Sequence, residues 1–147
     1  MMIPQKLKQG DEIRVIAPAK SFKASFTEER KFLATKRLEV LGLKVSCGKY
    51  VNEANEFEST TVEHRLEDLH DAFSDKNIGA ILTVLGGTTS NQLLRYLDYK
   101  LIKKNPKILC GLSDITSLAN AINTKTGLVT YSGPHFTLFG AEKQTDY

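Results

Sequence analysis

The sequence predicts an α/β domain built on an open, mostly parallel five-stranded sheet flanked by helices. Three observations predict it. Short β-rich runs alternate with helical patterns about five times along the 147 residues, the signature of parallel strands joined by right-handed helical crossovers. The run from Ile78 to Leu85 is apolar nearly throughout, as a central strand covered on both faces requires. Two runs end in glycine turns that open helices, at Gly86-Gly87 and at Gly111. Carboxyl ends of strands are where such sheets bind ligands.

The elements follow in order. Ile13 to Ala17 is the first strand, stopped by Pro18. Ser25 with Glu28 makes a capping box for a helix that buries Leu33, Ala34, Leu38 and Leu41, and Gly42 closes it. Leu43 to Cys47 is the second strand, and the polar stretch from Gly48 to Ser59 is an exposed loop at a sheet edge. Thr60 with Glu63 repeats the capping box, and Val62, Leu66, Leu69 and Phe73 form a helical stripe. After the central strand, Ser90 is placed to cap a helix from Asn91 to Leu97. Asp98 caps a short helix, Tyr99 to Lys104, which Pro106 ends. The strand Lys107 to Cys110 comes next. Ile115, Leu118, Ala119 and Ile122 then mark an amphipathic helix closed near Gly127. Leu128 to Ser132 is the last strand, followed by Gly133-Pro134-His135 and a tail.

Composition narrows the function. Hydrophobic residues make up 41% and charged residues 25%, with a formal net charge of +3, an ordinary globular balance. The lysines are scattered, and those from Lys100 to Lys107 read as a solvated helix end, so no nucleic-acid partner is expected. Cys47 and Cys110 end apolar runs and read as buried thiols in a reduced compartment. His64, His70 and His135 lie in different elements, so no metal site is expected, and no motif calls for a cofactor. Met1 to Lys6 lacks an apolar signal region and no stretch approaches membrane-spanning length. The expected location is cytoplasmic, away from membranes.

The chemistry concentrates at two strand ends. In Gly111-Leu112-Ser113 a short apolar run ends in Gly and a serine opens a helix. This is the layout of a nucleophile on a sharp strand-to-helix turn, although Ile115 replaces the second Gly of G-x-S-x-G. The same pattern also serves as a plain turn and N-cap. Gly86-Gly87-Thr88-Thr89 lets a ligand approach the backbone, and reads equally well as a tight turn; G-x-G-x-x-G is absent.

Taken together, these residues resemble the amino-terminal half of the LD-carboxypeptidase family of serine peptidases, nearest its microcin C self-immunity branch. The matching stretches are Val15-Ile16-Ala17-Pro18, Arg65 with Asp68-Leu69-His70 and Ala72-Phe73, and Leu85-Gly86-Gly87. They continue through Ser90-Asn91-Gln92-Leu93-Leu94, Tyr96-Leu97-Asp98, Gly111 to Thr116, and Tyr131-Ser132-Gly133-Pro134. The resemblance implies a three-layer sandwich of flavodoxin-like or glutamine-amidotransferase-like type. It implies Ser113 as nucleophile and the backbone N–H groups of Gly87 and Asp114 as the oxyanion hole. Gly86, Thr88, Asn91 and His135 are then candidates for contacting substrate.

Murein-recycling members tend to carry Arg-Gly-Gly-Tyr where this chain has Leu85-Gly86-Gly87-Thr88. That leaves an LD-peptide or a peptidyl- or aminoacyl-nucleotide such as microcin C as the expected substrate. The family's catalytic Glu and His come from a carboxy-terminal half, and nothing up to Tyr147 matches either. Residues 1–147 are therefore expected to form one nucleophile-bearing domain, inactive alone, with that second half and a second copy of itself as partners. The rival reading is a non-catalytic flavodoxin-like domain binding phosphate or carboxylate at Gly86-Gly87.

Overall fold

A computed structural model describes residues 1–24 and 26–141. Five strands form one sheet in the order β2-β1-β3-β4-β5, every neighbouring pair parallel. They are β1 (Glu12–Ile16), β2 (Lys44–Cys47), β3 (Ile78–Thr83), β4 (Ile108–Gly111) and β5 (Tyr131–Ser132). The connecting helices are α1 (Glu28–Val40), α2 (Val62–Ser74), α3 (Tyr99–Lys104), α4 (Ile115–Thr126) and α5 (Phe136–Phe139). The expected α/β class is borne out.

Alternation along β3 divides the core. Ile81 faces one side with Leu69, Phe73, Leu93, Leu109, Leu118 and Ile122, under α2, α3 and α4. Ala80 and Leu82 face the other, with Val15, Ala34, Leu38 and Phe136. The strand order reverses direction between β1 and β3. Their carboxyl ends therefore border the crevice at which doubly wound sheets place ligands.

Local chemistry sets the boundaries, with corrections to the expected caps. The α1 cap is Thr27, whose Oγ accepts from Arg30 N at 3.3 Å; Ser25 lies outside the described residues, as do residues 142–147. The α2 cap is Thr61, accepting from His64 N at 3.2 Å, while Thr60 donates to Glu53 Oε2 at 2.8 Å. Adjacent threonines offer the same capping group, and the one whose φ and ψ are extended at the helix start takes the role. Asp98 caps α3 as expected, at 2.9 Å from Leu101 N. Gly42 (φ 82°) and Gly127 (φ 78°) close α1 and α4 in the left-handed region.

Other expectations need revision. Leu41 is 65% exposed, because α1 has ended before it. Ser90 opens a 3-10 helix, Ser90–Tyr96, and does not cap it with its side chain. The last strand shortens to two residues, since Leu128 instead forms an isolated parallel bridge with Met2. Cys47 is exposed and Cys110 half-buried, so the thiols are not core residues; both are free. Lys107 leaves the lysine cluster: it is buried, its Nζ donating to Asp75 O and Ile78 O at 2.7 Å each. Among the described residues no helix is long and apolar enough to cross a membrane.

Candidate active site

Ser113 stands at φ 59°, in the left-handed region that non-glycine residues rarely adopt. The surroundings impose this turn. A Cβ on Gly111 would lie 2.4 Å from Thr83 Oγ1 and 2.9 Å from Ile115 Cγ2, so β4 must end in glycine for α4 to pack this closely. One residue later the chain reverses sharply. The first turn beyond it is held by Thr116 N donating to Ser113 O at 2.9 Å and Ser117 N donating to Asp114 O at 3.1 Å. The serine side chain is left exposed at the carboxyl edge of the sheet.

The glycine turn after β3 comes up beside it. A Cβ on Gly86 would stand 3.2 Å from Ser113 Cβ, 3.4 Å from Ser113 Oγ and 3.6 Å from the Asp114 amide nitrogen. Gly86 is thus the smallest possible neighbour of the serine. On its far side a Cβ on Gly87 would meet Ala19 Cβ at 3.2 Å and Lys20 N at 3.3 Å, and Lys20 N donates to Gly86 O at 3.2 Å. Among the described residues neither Gly87 N–H nor Asp114 N–H donates to a protein acceptor. The structure therefore brings Ser113, Gly86, Gly87 and Asp114 together from β3 and β4. Thr88 is exposed on the same turn, and Asn91 is exposed on the 3-10 helix that follows.

His135 takes a position not anticipated for a substrate-contacting residue. It is 2% exposed, with Nδ1 2.8 Å from Thr83 Oγ1 at the end of β3. Burial pushes its imidazole below the usual histidine range, a hydrogen bond to the Leu112 backbone opposing this more weakly. His64 and His70 sit at the boundary, as their helix pattern predicts. His64 Nδ1 is 2.7 Å from Glu53 Oε2, and His70 Nε2 accepts from Asp98 N at 3.0 Å.

A polar framework underneath was not visible as function in the sequence. The Asp114 carboxylate accepts from Thr89 N (3.0 Å) and Ser90 N (2.9 Å), while Ser90 Oγ donates to Asp114 O at 2.7 Å. Arg65, 3% exposed, sends Nη1 to Pro18 O (3.1 Å), Thr89 O (3.0 Å) and Thr89 Oγ1 (3.1 Å), and Nη2 to Gln92 Oε1 (2.6 Å). Burial lowers its guanidinium from the usual arginine value and the nearby Asp114 charge raises it. The available signal was an arginine on the buried face of α2, four residues before Leu69 and eight before Phe73. Among the described residues no cluster of His, Cys, Asp and Glu is placed to hold a metal.

A five-stranded parallel sheet with an exposed, left-handed serine at a strand-to-helix turn defines an α/β domain of nucleophile-elbow type. The chain belongs to the LD-carboxypeptidase family, whose N-terminal domain model matches residues 13–133. A crystal structure of an MccF-like protein from Bacillus anthracis superposes with a TM-score of 0.95 at 57% identity, covering 97% of this chain and 43% of that one. The microcin C7 self-immunity protein MccF of Escherichia coli is 34% identical over 134 residues, 90% of this chain and 38% of its own length. MccF has also been solved in complex with aspartyl sulfamoyl adenosine, at a TM-score of 0.90 and 31% identity, covering 97% of this chain and 42% of that one. The murein tetrapeptide carboxypeptidase of Pseudomonas aeruginosa is 36% identical over 129 residues, 87% of this chain and 40% of its own. The chain spans less than half the length of the curated relatives it matches.

Proposed function

We propose that this chain is the nucleophile-bearing part of a serine hydrolase that cleaves an amide bond by acyl transfer. The observation that carries the reading is Ser113 at φ 59° with Gly86 packed against its Cβ and Oγ. Ser113 Oγ attacks the amide carbonyl and forms a C–O bond. The carbonyl oxygen becomes an oxyanion, received by the Gly87 and Asp114 N–H groups, with the amino end of α4 favouring negative charge there. Collapse breaks the C–N bond, the amine leaves with a proton, and water then releases the acyl group from Ser113.

The serine needs a base to accept its proton. Among the described residues no imidazole or carboxylate is hydrogen-bonded to Ser113 Oγ. His135 is engaged with Thr83, and the Asp114 carboxylate with two backbone amides. The base is supplied by a second half of the kind the longer relatives carry, where the family resemblance places a Glu and a His. Residues 1–147 alone therefore hydrolyse nothing at a useful rate. Thr88 and Asn91 border the turn and contact the substrate beyond the scissile bond.

For substrate, Leu85-Gly86-Gly87-Thr88 and the likeness to MccF favour a peptidyl- or aminoacyl-nucleotide over a murein LD-tetrapeptide. The test is side-by-side turnover of an LD-tetrapeptide and an aminoacyl-adenylate analogue by the complete two-part enzyme and by residues 1–147. Preference for the nucleotide, absent in the short chain, is expected. Turnover by the short chain, or a preference for the tetrapeptide, overturns the corresponding part.

A further inference from the structure

Three strand-end loops must agree in height if two amides from different loops are to meet one oxygen atom, and backbone sterics alone do not fix that agreement. The loop after β1 touches the glycine turn through Lys20 N donating to Gly86 O, at a long 3.2 Å. The stronger links are polar side chains. Asp114 Oδ2 receives both the Thr89 and Ser90 amides, so the residue that carries one proposed oxyanion donor also grips the turn that carries the other. Ser90, fully buried, returns a hydroxyl to Asp114 O. From below, Arg65 spreads one guanidinium over Pro18 after β1, Thr89 after β3 and Gln92 of the 3-10 helix. Its planar fork reaches several acceptors that a single ammonium cannot.

We propose that Arg65 and Asp114 are positioning residues: a buried strut that sets the glycine turn against the Ser113 elbow so that the Gly87 and Asp114 amides converge. Asp114 acts here through its carboxylate, separately from its backbone amide. The inference rests on the acyl-transfer reading for its consequence, and on the hydrogen bonds alone for the geometry. Both amides point to one carboxylate oxygen, so an asparagine carbonyl placed there accepts them equally. Hydrogen bonding, more than charge, is therefore the operative property.

The deciding test is amide NMR and hydrogen exchange on this chain as wild type, Asp114→Asn, Asp114→Ala and Arg65→Lys. The strut requires that D114A moves the Gly86, Gly87 and Thr88 amide resonances and speeds exchange at Thr89 and Ser90. D114N restores both, and R65K shows an intermediate shift. Unchanged resonances at the turn in D114A and R65K overturn the proposal, as does a D114N variant as perturbed as D114A. R65K and D114N each keep a polar group in place, so one remains informative should D114A not fold. In the two-part enzyme, phosphonylation of the serine by a fluorophosphonate is expected to slow about 100-fold in D114A, the cost of roughly an ångström of misplacement. That loss falls on the maximal rate with half-saturation unchanged, and D114N recovers most of it. An equal loss in D114N, or one confined to half-saturation, counts against the strut. Failure of wild type to react contradicts the acyl-transfer reading alone, since the NMR arm still judges the geometry.

Discussion

At the scale of single residues, Ser113 makes a measurable claim about strain. A serine at φ 59° carries a backbone cost of order 1 kcal/mol that glycine does not. Elsewhere glycine is the less stable choice, because it loses more chain entropy on folding. The account therefore predicts that Ser113→Gly unfolds at higher denaturant than Ser113→Ala, by about 1 kcal/mol; the reverse order in urea titrations contradicts the elbow. Gly86→Ala is expected to leave the fold intact and slow acylation of the two-part enzyme at least tenfold. Its Cβ would press on Ser113 Oγ at 3.4 Å and force the hydroxyl aside. The serine and both glycines were legible in the sequence because a turn of this kind tolerates few residue types. The Asp114 carboxylate and Arg65 were not. Their function lies in hydrogen bonds between loops 24 or 25 residues apart, and spacing along one chain does not encode such contacts.

At the scale of elements, α2 and the turn leading into α3 are joined by His70, whose neutral Nε2 accepts the Asp98 N–H. Burial holds its imidazole below the usual value of 6.5. The unfolded chain thus binds the proton more readily than the folded one. This contribution is full above about pH 6.5 and is lost as pH falls below it toward the folded-state value. Wild type should accordingly lose stability relative to His70→Gln between pH 7 and pH 5, and parallel denaturation curves across that range contradict it. Lys107 behaves differently, because its ammonium is tied to Asp75 O and Ile78 O across the start of β3. Replacing it with Met strands two carbonyls and is expected to cost about 1–3 kcal/mol, read from equilibrium unfolding. The order of strands and helices was legible because β3 is apolar on both faces and the helices carry clear stripes. Boundaries were not. Thr60 and Thr61, or Gly111 as last strand residue, differ by hydrogen-bond geometry that composition does not distinguish. The α5 turn, four residues long, has too little periodicity to show.

At the scale of the whole molecule, one side of the sheet is less well covered toward β4 and β5. Ile108 and Cys110 are half-buried there beside exposed Ile3 and Tyr131, and Leu41 and Leu138 are exposed beyond the α1 side. Apolar surface of this kind marks a face that another polypeptide covers. Our reading assigns it to the second half of the enzyme, with a second copy of the chain as the substitute when that half is absent. Sedimentation of residues 1–147 should show concentration-dependent dimerisation that the two-part enzyme does not use this face to make. A strictly monomeric short chain at high concentration argues against it.

The central claim is that Ser113 is a nucleophile whose base lies outside residues 1–147. The most direct measurement is intact-mass spectrometry after exposure to a fluorophosphonate, for this chain and for a version extended through a second half like that of its relatives. The account predicts a single adduct on Ser113 in the extended protein, none in its Ser113→Ala variant, and none in the short chain. Labelling that survives Ser113→Ala, or no labelling of either protein, would contradict it; equal labelling of both would place the base within these 147 residues.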